Sequence, residues 1–149
     1  MQAIRTSWNG ETLTADWSVA PPSLDTVSNL ATAVFLSLFT DRRANDDDPL
    51  PDDSRDRRGW YGDANAGEDA MGSRLWLLAR EKRLPATMQK AIDYTNEALA
   101  WMVRDGVAVR IDVTAEWRGL DGLALVAAIH EADGRRNSFE FEYAWRELA

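Results

Sequence analysis

The sequence contains no cysteine and a single histidine, His130. Without cysteine, the chain forms no disulfide, offers no thiolate to a metal and has no cysteine nucleophile. One histidine also excludes a zinc site with several imidazole ligands and any mechanism that needs two histidines. His130 follows an apolar segment, and we interpret it as an ordinary polar strand end. We expect neither a metal nor a cofactor.

Basic residues are scarce: 17 Lys and Arg stand against 25 Asp and Glu, a formal net charge of −8. A nucleic-acid-binding domain needs a basic face, so we expect no nucleic acid partner. No apolar run approaches the roughly 20 residues of a membrane span, and the N-terminus lacks the apolar core of a signal peptide. The expectation is a protein made and folded in a cytoplasm, with no membrane contact.

Motifs for nucleophilic catalysis, phosphate binding and calcium binding are also missing. Ser73 lacks the second glycine of a nucleophile elbow, and no glycine-rich phosphate loop is present. A calcium loop starting at Asp52 needs glycine at its sixth position and glutamate at its twelfth, where the sequence has Arg57 and Asp63. We interpret the aspartate clusters as a solvated charged loop.

Carboxylates are abundant, and a glycosidase needs only two of them about 5–10 Å apart. Those near the predicted strands alternate with apolar neighbours, so a solvated strand face explains them without catalysis. They are Glu116, Glu131, Glu140 and Glu142. We expect no enzymatic activity.

The chain is rich enough in apolar residues for one hydrophobic core. It has 149 residues, 45% of them apolar, and seven tryptophans, which suits a single domain over residues 1–149 and not two. Asn9-Gly10 is a typical hairpin-turn dipeptide and predicts two short strands at 2–8 and 11–17.

A helix and a long charged loop are predicted next. Ser23 is the expected N-cap of a helix with apolar residues at helical spacing, which ends near Thr40. Residues 41–71 show neither period and hold ten acidic and five basic side chains. We predict a long loop, and loops of this length in compact domains are usually functional or disordered.

Two further helices and a sheet are predicted after the loop. Ser73 is the expected cap of a short helix from Arg74 to about Lys82, and Thr87 that of a helix over 88–104. The last third of the chain changes to a period of two. It predicts strands over 107–118, 123–129 and 139–145, the second of them apolar on both faces and therefore central.

The predicted fold class is α+β, because helices precede strands along the chain and do not alternate with them. The expected order is an N-terminal short hairpin, two main helices plus a short one, and a C-terminal three-stranded antiparallel meander.

Two groups of residues are candidates for partner binding. Arginine and aromatic side chains, which are enriched at protein interfaces, cluster in the loop: Arg42, Arg43, Arg57, Arg58, Trp60 and Tyr61. Alternatively, these arginines pair with the loop's own aspartates and the aromatic pair closes the core. The second candidate is the last strand, expected at the sheet edge, where unpaired backbone groups can bind another chain; it carries Phe139, Phe141 and Tyr143.

Four long and unusual motifs follow one another along the chain. They are Leu36-Ser37-Leu38-Phe39-Thr40-Asp41-Arg42-Arg43-Ala44, Asp56-Arg57-Arg58-Gly59-Trp60-Tyr61-Gly62-Asp63, Gly72-Ser73-Arg74-Leu75-Trp76-Leu77-Leu78 and Ala98-Leu99-Ala100-Trp101. In this order they resemble the gene-product-46 family of Mu-like phages and prophages. The similarity extends over roughly residues 4 to 145.

This resemblance implies a baseplate wedge protein, similar to the gene-product-25 family of contractile tails, which once carried a lysozyme-like label. In that wider group a Glu-Pro-Arg motif opens the sheet, whereas this chain has Ala108-Val109-Arg110. Only Arg110 matches, and the resemblance implies a partner-binding role for it.

The same resemblance implies the partners and the location. The partners are other baseplate wedge proteins and tail sheath or tube proteins, in a six-fold assembly where the sheet edge seeds the sheath. The location is the tail baseplate of the virion, after synthesis in the bacterial host cytoplasm. Two alternatives stay open: a tail-associated peptidoglycan hydrolase, and a small cytosolic adaptor without a phage connection.

Overall fold

A computed structural model describes the backbone of residues 2–4, 6–9, 14–17, 19–20, 23–24, 26–65, 70–120 and 122–144, and the side chains of 30–64, 70–120 and 122–142. Short antiparallel strand pairs lie within residues 2–28. β1 (Gln2–Ile4) pairs with β6 (Thr26–Ser28), β2 (Thr6–Asn9) with β3 (Thr14–Trp17), and β4 (Val19–Ala20) with β5 (Ser23–Leu24). The β2–β3 pair occupies the region of the predicted hairpin, whose turn lies outside the described residues.

The first helix, α1 (Asn29–Phe39), begins later than the sequence predicted. Ser23, the predicted cap, belongs to β5, and β6 pairs with β1 at the opposite end of the N-terminal segment. Backbone hydrogen bonds to a distant strand override the local helical pattern here, so the prediction of a helix that starts after Ser23 was wrong. The helix ends where the sequence indicated, near Thr40.

The short helix predicted after Ser73 was wrong in length. It is a single 3-10 turn, Leu75–Leu78. All four of these residues are at most 6% exposed. Burial of consecutive residues shows packing on every side of the turn, whereas a longer surface helix would bury only one stripe.

The second helix, α2 (Pro85–Arg104), begins earlier than predicted. Proline is favoured at the first helical position because its missing N–H would have no helical partner there. The sequence predicted that Thr87 caps this helix, and that prediction was wrong: Leu84 is at the N-cap position. Its hydroxyl donates a hydrogen bond of 2.7 Å to the Lys82 carbonyl, and so ties the first turn to the preceding segment.

The C-terminal meander of three antiparallel strands is confirmed. β7 (Arg110–Arg118), β8 (Gly122–His130) and β9 (Arg136–Ala144) pair in the order β7-β8-β9, with the apolar β8 in the centre. Val107 and Val109, which we had placed in the first strand, precede it and are 39% and 64% exposed. The Val107 N–H instead donates a hydrogen bond of 2.8 Å to the Met102 carbonyl, which closes the turn after α2.

Both helices pack on one face of this sheet. Odd-numbered residues of β8 face the helices, and even-numbered residues lie on the opposite face, which we call the outer face. One buried cluster joins α1, the C-terminal half of α2 and β8: Val34, Leu38, Ala98, Leu99, Met102, Ala108, Ala127 and Ile129. A second joins the 3-10 turn to the other end of α2 and of β8: Leu75, Leu78, Ala91, Leu123 and Leu125.

The described part of segment 41–71 holds a 3-10 turn, Tyr61–Asn65, and otherwise irregular backbone, in agreement with the predicted loop. Its two ends lie side by side. The Arg42 N–H donates to the Ser73 carbonyl at 3.0 Å, and the Ser73 N–H donates to the Thr40 carbonyl at 2.9 Å. The loop is therefore held against the C-terminal end of α1.

Candidate partner-binding site

The loop arginines are largely engaged within the chain. Arg57 donates to the backbone carbonyls of Asn45, Asp46 and Asp48, at 2.9 Å in the case of Asp46. Backbone carbonyls in an irregular segment have no helix or strand partner, and Arg57 supplies a donor to these three. Arg57 thus holds the acidic stretch of the loop in one conformation.

Arg42 connects the loop to helix α2. Its Nη2 donates to the Ala70 carbonyl at 2.7 Å, and its Nη1 lies 3.2 Å from the Glu97 carboxylate. Arg42 keeps only 16% of its side chain exposed. It is therefore a support of the loop and not a free contact residue.

Arg58 and Arg43 also make contacts inside the loop. The guanidinium of Arg58 lies 4.5 Å from the centre of the Trp76 ring and pairs with Asp41 at 2.8 Å. Arg43 reaches the Arg58 carbonyl only at the limiting distance of 3.5 Å. The alternative that the sequence left open, pairing with the loop's own aspartates, therefore holds for Arg58. Arg42 and Arg57 also make contacts within the chain, but with Glu97 of α2 and with loop carbonyls.

Arg74, which the sequence did not single out, carries the most buried ion-pair network. It bridges Asp48 at 2.8 Å and Glu97 at 2.9 Å, and its guanidinium lies 4.6 Å from the centre of the Tyr94 ring. Burial opposes the charge on Arg74, but Asp48 and Glu97 outweigh it and raise the pKa of Arg74 above its usual range.

Trp60 and Tyr61 do not close the core, contrary to one of the two interpretations of the sequence. Their side chains are 44% and 88% exposed, and their ring centres lie 5.1 Å apart. A Cβ on Gly62 would lie 2.0 Å from the Trp60 ring, so the ring occupies space that only glycine leaves free. The Trp60 ring is thus packed against Gly62, and both rings are open to solvent.

Trp60 also forms one wall of a groove of about 770 Å³ between α1 and α2. Leu36 on α1, Trp101 on α2 and Met71 after the loop form further parts of its wall. Trp101 is fixed by a hydrogen bond of 2.9 Å from its indole N–H to the Ser37 hydroxyl. Sequence reasoning missed this groove, because its residues come from three separated segments and share no period.

The sheet-edge candidate has a different character. β9 hydrogen-bonds to β8 and lies at one edge of the sheet among the described strands. Phe139 and Phe141 point toward the core, with the Phe141 ring 5.4 Å from that of Phe39. What the edge offers a partner is therefore its backbone and its outer-face side chains; the Tyr143 side chain is outside the described residues.

Arg110 lies on the outer face, at the start of β7. Its Nη2 is 3.0 Å from the Asp112 carboxylate and 3.3 Å from the His130 imidazole. The sequence placed Arg110 within the first predicted strand, 107–118, and His130 at the end of the central one; the register brings them directly opposite each other.

Three of the carboxylates considered for catalysis take part in ion pairs and hydrogen bonds with neighbouring side chains. Glu116 and Glu140 both pair with Arg118, and Glu131 accepts hydrogen bonds from Arg135 and Asn137. No group of three or more His, Asp or Glu among the described residues is placed to hold a metal ion. None of the described helices has both the length and the apolarity needed to cross a membrane.

Fold and surface together define a small α+β protein with two features suited to protein contacts, an exposed aromatic pair and a sheet edge. A family model described as phage protein GP46 matches residues 30–136. The chain is 47% identical over 120 residues to "Baseplate protein gp46" of Escherichia phage Mu, which covers 80% of this chain and 82% of that protein.

A second relative covers almost the whole chain. "Mu-like prophage FluMu protein gp46" of Haemophilus influenzae is 33% identical over 146 residues, 97% of this chain and 98% of that protein. The chain belongs to the GP46 family of phage proteins. This confirms the resemblance to the gene-product-46 family; the similarity to the gene-product-25 family stays a prediction.

Proposed function

We propose that this chain is a structural subunit of the baseplate of a contractile phage or prophage-derived tail. It acts as a single domain by binding its neighbours and not by catalysing a reaction. The observation that carries this proposal is the 47% identity, over 80% of this chain, to a phage Mu protein named a baseplate protein. In an assembled tail the chain is located in the virion baseplate.

The proposed contact in the loop is the aromatic pair, Trp60 and Tyr61. An aromatic residue that is already fixed loses little conformational entropy when a partner covers it, and such residues often dominate binding energy. Of the two kinds of role that the sequence left open for the arginines, partner binding and intramolecular contact, we propose the second. Arg42, Arg57 and Arg58 hold the loop so that the aromatic pair has a defined position.

The proposed partners are other wedge proteins and sheath or tube proteins of a six-fold tail. Edge strand β9 supports a contact with the sheath, because an edge strand offers unpaired backbone groups that can extend the sheet into another chain. Its nine residues, Arg136–Ala144, are long enough for several such hydrogen bonds.

The contact of the aromatic pair is tested by co-purification. The chain is co-expressed with the tail proteins encoded beside it, either unchanged or with Trp60→Ala and Tyr61→Ala. We expect the double variant to stay folded and to lose most of the bound partner. Leu120→Ala is the matched control, because Leu120 is 83% exposed and lies in the β7–β8 turn. Unchanged capture by the double variant would contradict this contact.

The edge strand is tested separately by deletion of residues 143–149, which shortens β9 by its last two residues, and electron microscopy of the resulting tails. We expect short or missing sheaths, and full-length sheaths would count against strand donation. A turbidity assay on purified cell walls tests the non-catalytic role. No clearing is expected, whereas clearing by the purified chain would favour a peptidoglycan hydrolase.

A further inference from the structure

Three basic side chains share one row across the outer face of the sheet. In the register of the three strands, Arg110 on β7 lies opposite His130 on β8, and His130 lies opposite Arg136 on β9. Residues directly opposite each other in an antiparallel sheet project from the same face. We call Arg110, His130 and Arg136 the basic row.

Two of the three residues of the basic row share one carboxylate. Asp112 on the next row uses one oxygen, Oδ2, for both Arg110 and His130, at 3.0 Å each. Within the part of the chain that the structure describes, Arg136 has no ion pair. Glu131, which follows His130, already accepts hydrogen bonds from Arg135 and Asn137.

The opposite end of the outer face has the reverse charge. Glu116, Glu140 and Glu142 lie there, with Arg118 bridging the first two. On a chain with a net charge of −8, the basic row is therefore a local site where negative charge can approach without strong repulsion.

We propose that the basic row binds a carboxylate-rich segment of a neighbouring protein, and that protonation of His130 strengthens this binding. The inference rests on the proposed function, which supplies the neighbouring protein. A carboxylate placed between Arg110 and Arg136 would receive charge-assisted hydrogen bonds, which are stronger than neutral ones.

Protonation of His130 acts on this row in two ways. Histidine changes charge between about pH 5 and pH 8, and as the pH falls it adds a positive charge to the row. The Nε2 of a neutral imidazole can either donate to Asp112 or accept from Arg110, whereas in the protonated ring it can only donate. Protonation therefore keeps His130 on Asp112 and releases the Arg110 Nη2 N–H that points at the imidazole, so that it can donate to the incoming carboxylate while Nη2 stays paired with Asp112.

The charged groups around His130 come from three directions. β7 contributes Arg110 and Asp112, β9 contributes Arg136, and Glu131 follows His130 along the chain. An incoming carboxylate adds negative charge beside the imidazole and stabilises its protonated form, so binding of the carboxylate and of the proton support each other.

The test uses the full-length chain and a hexaglutamate peptide, with binding measured by calorimetry at low salt. Arg110→Gln with Arg136→Gln should weaken binding about fivefold, the effect of two exposed charge contacts. Arg55→Gln with Arg80→Gln is the matched control, since both arginines are exposed and the change in charge is the same. The control should change affinity less than about twofold, because distant exposed charges are largely screened.

The proton dependence has its own comparison. The unchanged chain should bind the peptide about threefold tighter at pH 5.5 than at pH 7.5, and His130→Gln should remove this difference. Equal losses in the row variant and its control, or no loss in either, would overturn the site; a pH effect that persists in His130→Gln would overturn the proton dependence. If the row variants bind the peptide normally while the unchanged chain still co-purifies with tail proteins, the basic row is refuted as a binding site. The proposed function as a baseplate subunit is then unaffected.

Discussion

Arg74 Nε lies 2.9 Å from the Oε2 atom of Glu97, and this ion pair fixes the segment after the loop to helix α2. The other Glu97 oxygen accepts Arg42, from the start of the loop, at 3.2 Å. A single carboxylate on α2 thus holds both ends of the loop. The position of the aromatic pair relative to the helices depends on it.

Replacing Glu97 by Gln should destabilise the fold by about 1–2 kcal/mol, because two partly buried arginines lose their shared counter-charge. Urea unfolding followed by tryptophan fluorescence measures the effect. The control is Glu81→Gln, whose partner Lys90 is 46% exposed, where the expected loss is below about 0.5 kcal/mol. Equal losses in both variants would show that the Glu97 ion pairs add nothing to stability.

The Asp48 carboxylate should make stability depend on pH. Burial opposes its ionisation, but hydrogen bonds from Arg74 and from the Asn45 N–H outweigh burial and hold the pKa of Asp48 below its usual range. A pKa lowered by folding means that the ionised group stabilises the fold above about pH 4, and that this contribution is lost as the pH falls through the folded-state pKa. Asp48→Asn should therefore be less stable than the unchanged chain at pH 7.

The difference between Asp48→Asn and the unchanged chain should shrink as the pH falls below about 4. Urea unfolding at pH 7, 5 and 3 measures it. Asp47→Asn, an exposed neighbour without an ion pair in the described part of the chain, is the control and should show a small difference at every pH. A deficit of Asp48→Asn that is as large at pH 3 as at pH 7 would contradict the assignment.

Gly72 and Gly106 should respond differently to substitution by alanine. Both have a positive φ, +95° and +78°, but a Cβ on Gly72 would lie 2.2 Å from the Thr40 carbonyl oxygen, whereas one on Gly106 meets nothing within 4 Å. Gly106→Ala should cost about 1–2 kcal/mol for the backbone conformation alone. Gly72→Ala should cost clearly more, since the contact between the loop end and α1 must open. Thermal unfolding compares the two, and similar melting temperatures would contradict the close approach.

Leu99 lies at the centre of the core and is 0% exposed, while Val103, one turn further along α2, is 45% exposed. Leu99→Ala should cost about 2–5 kcal/mol, through lost burial and the cavity left behind. Val103→Ala should change stability by about 0.5 kcal/mol or less. Chemical unfolding measures both. A small loss for Leu99→Ala would mean that α2 does not pack on the sheet as described.

The sheet was the part of the fold most open to prediction. The outer strands alternate between apolar and polar residues, whereas β8 is apolar on both faces, so period and position in the sheet could be predicted from the local sequence. The helix boundaries were harder. Leu24 and residues 26–28 fit a helical pattern, but their backbone pairs with other strands of the N-terminal segment, and no local pattern contains that information.

The candidate site was predicted in part. Composition pointed to the loop because arginine and aromatic residues concentrate there, and the family resemblance rested on the same residues. Which of them are exposed was not predictable. Arg57 and Trp60 are close in sequence, yet Arg57 donates hydrogen bonds to loop carbonyls, whereas the Trp60 ring lies beside Gly62 and is exposed to solvent.

By itself, the sequence determined the α+β class, the central position of β8 and membership in the phage family, because periodicity and motif order are local properties of the chain. Only the tertiary structure decided that Arg42 and Arg74 meet on Glu97, that Trp60 lines a groove with Trp101, and that Arg110, His130 and Arg136 form one row. The physical reason is that these residues come from separate segments, and strand register and helix packing bring them together.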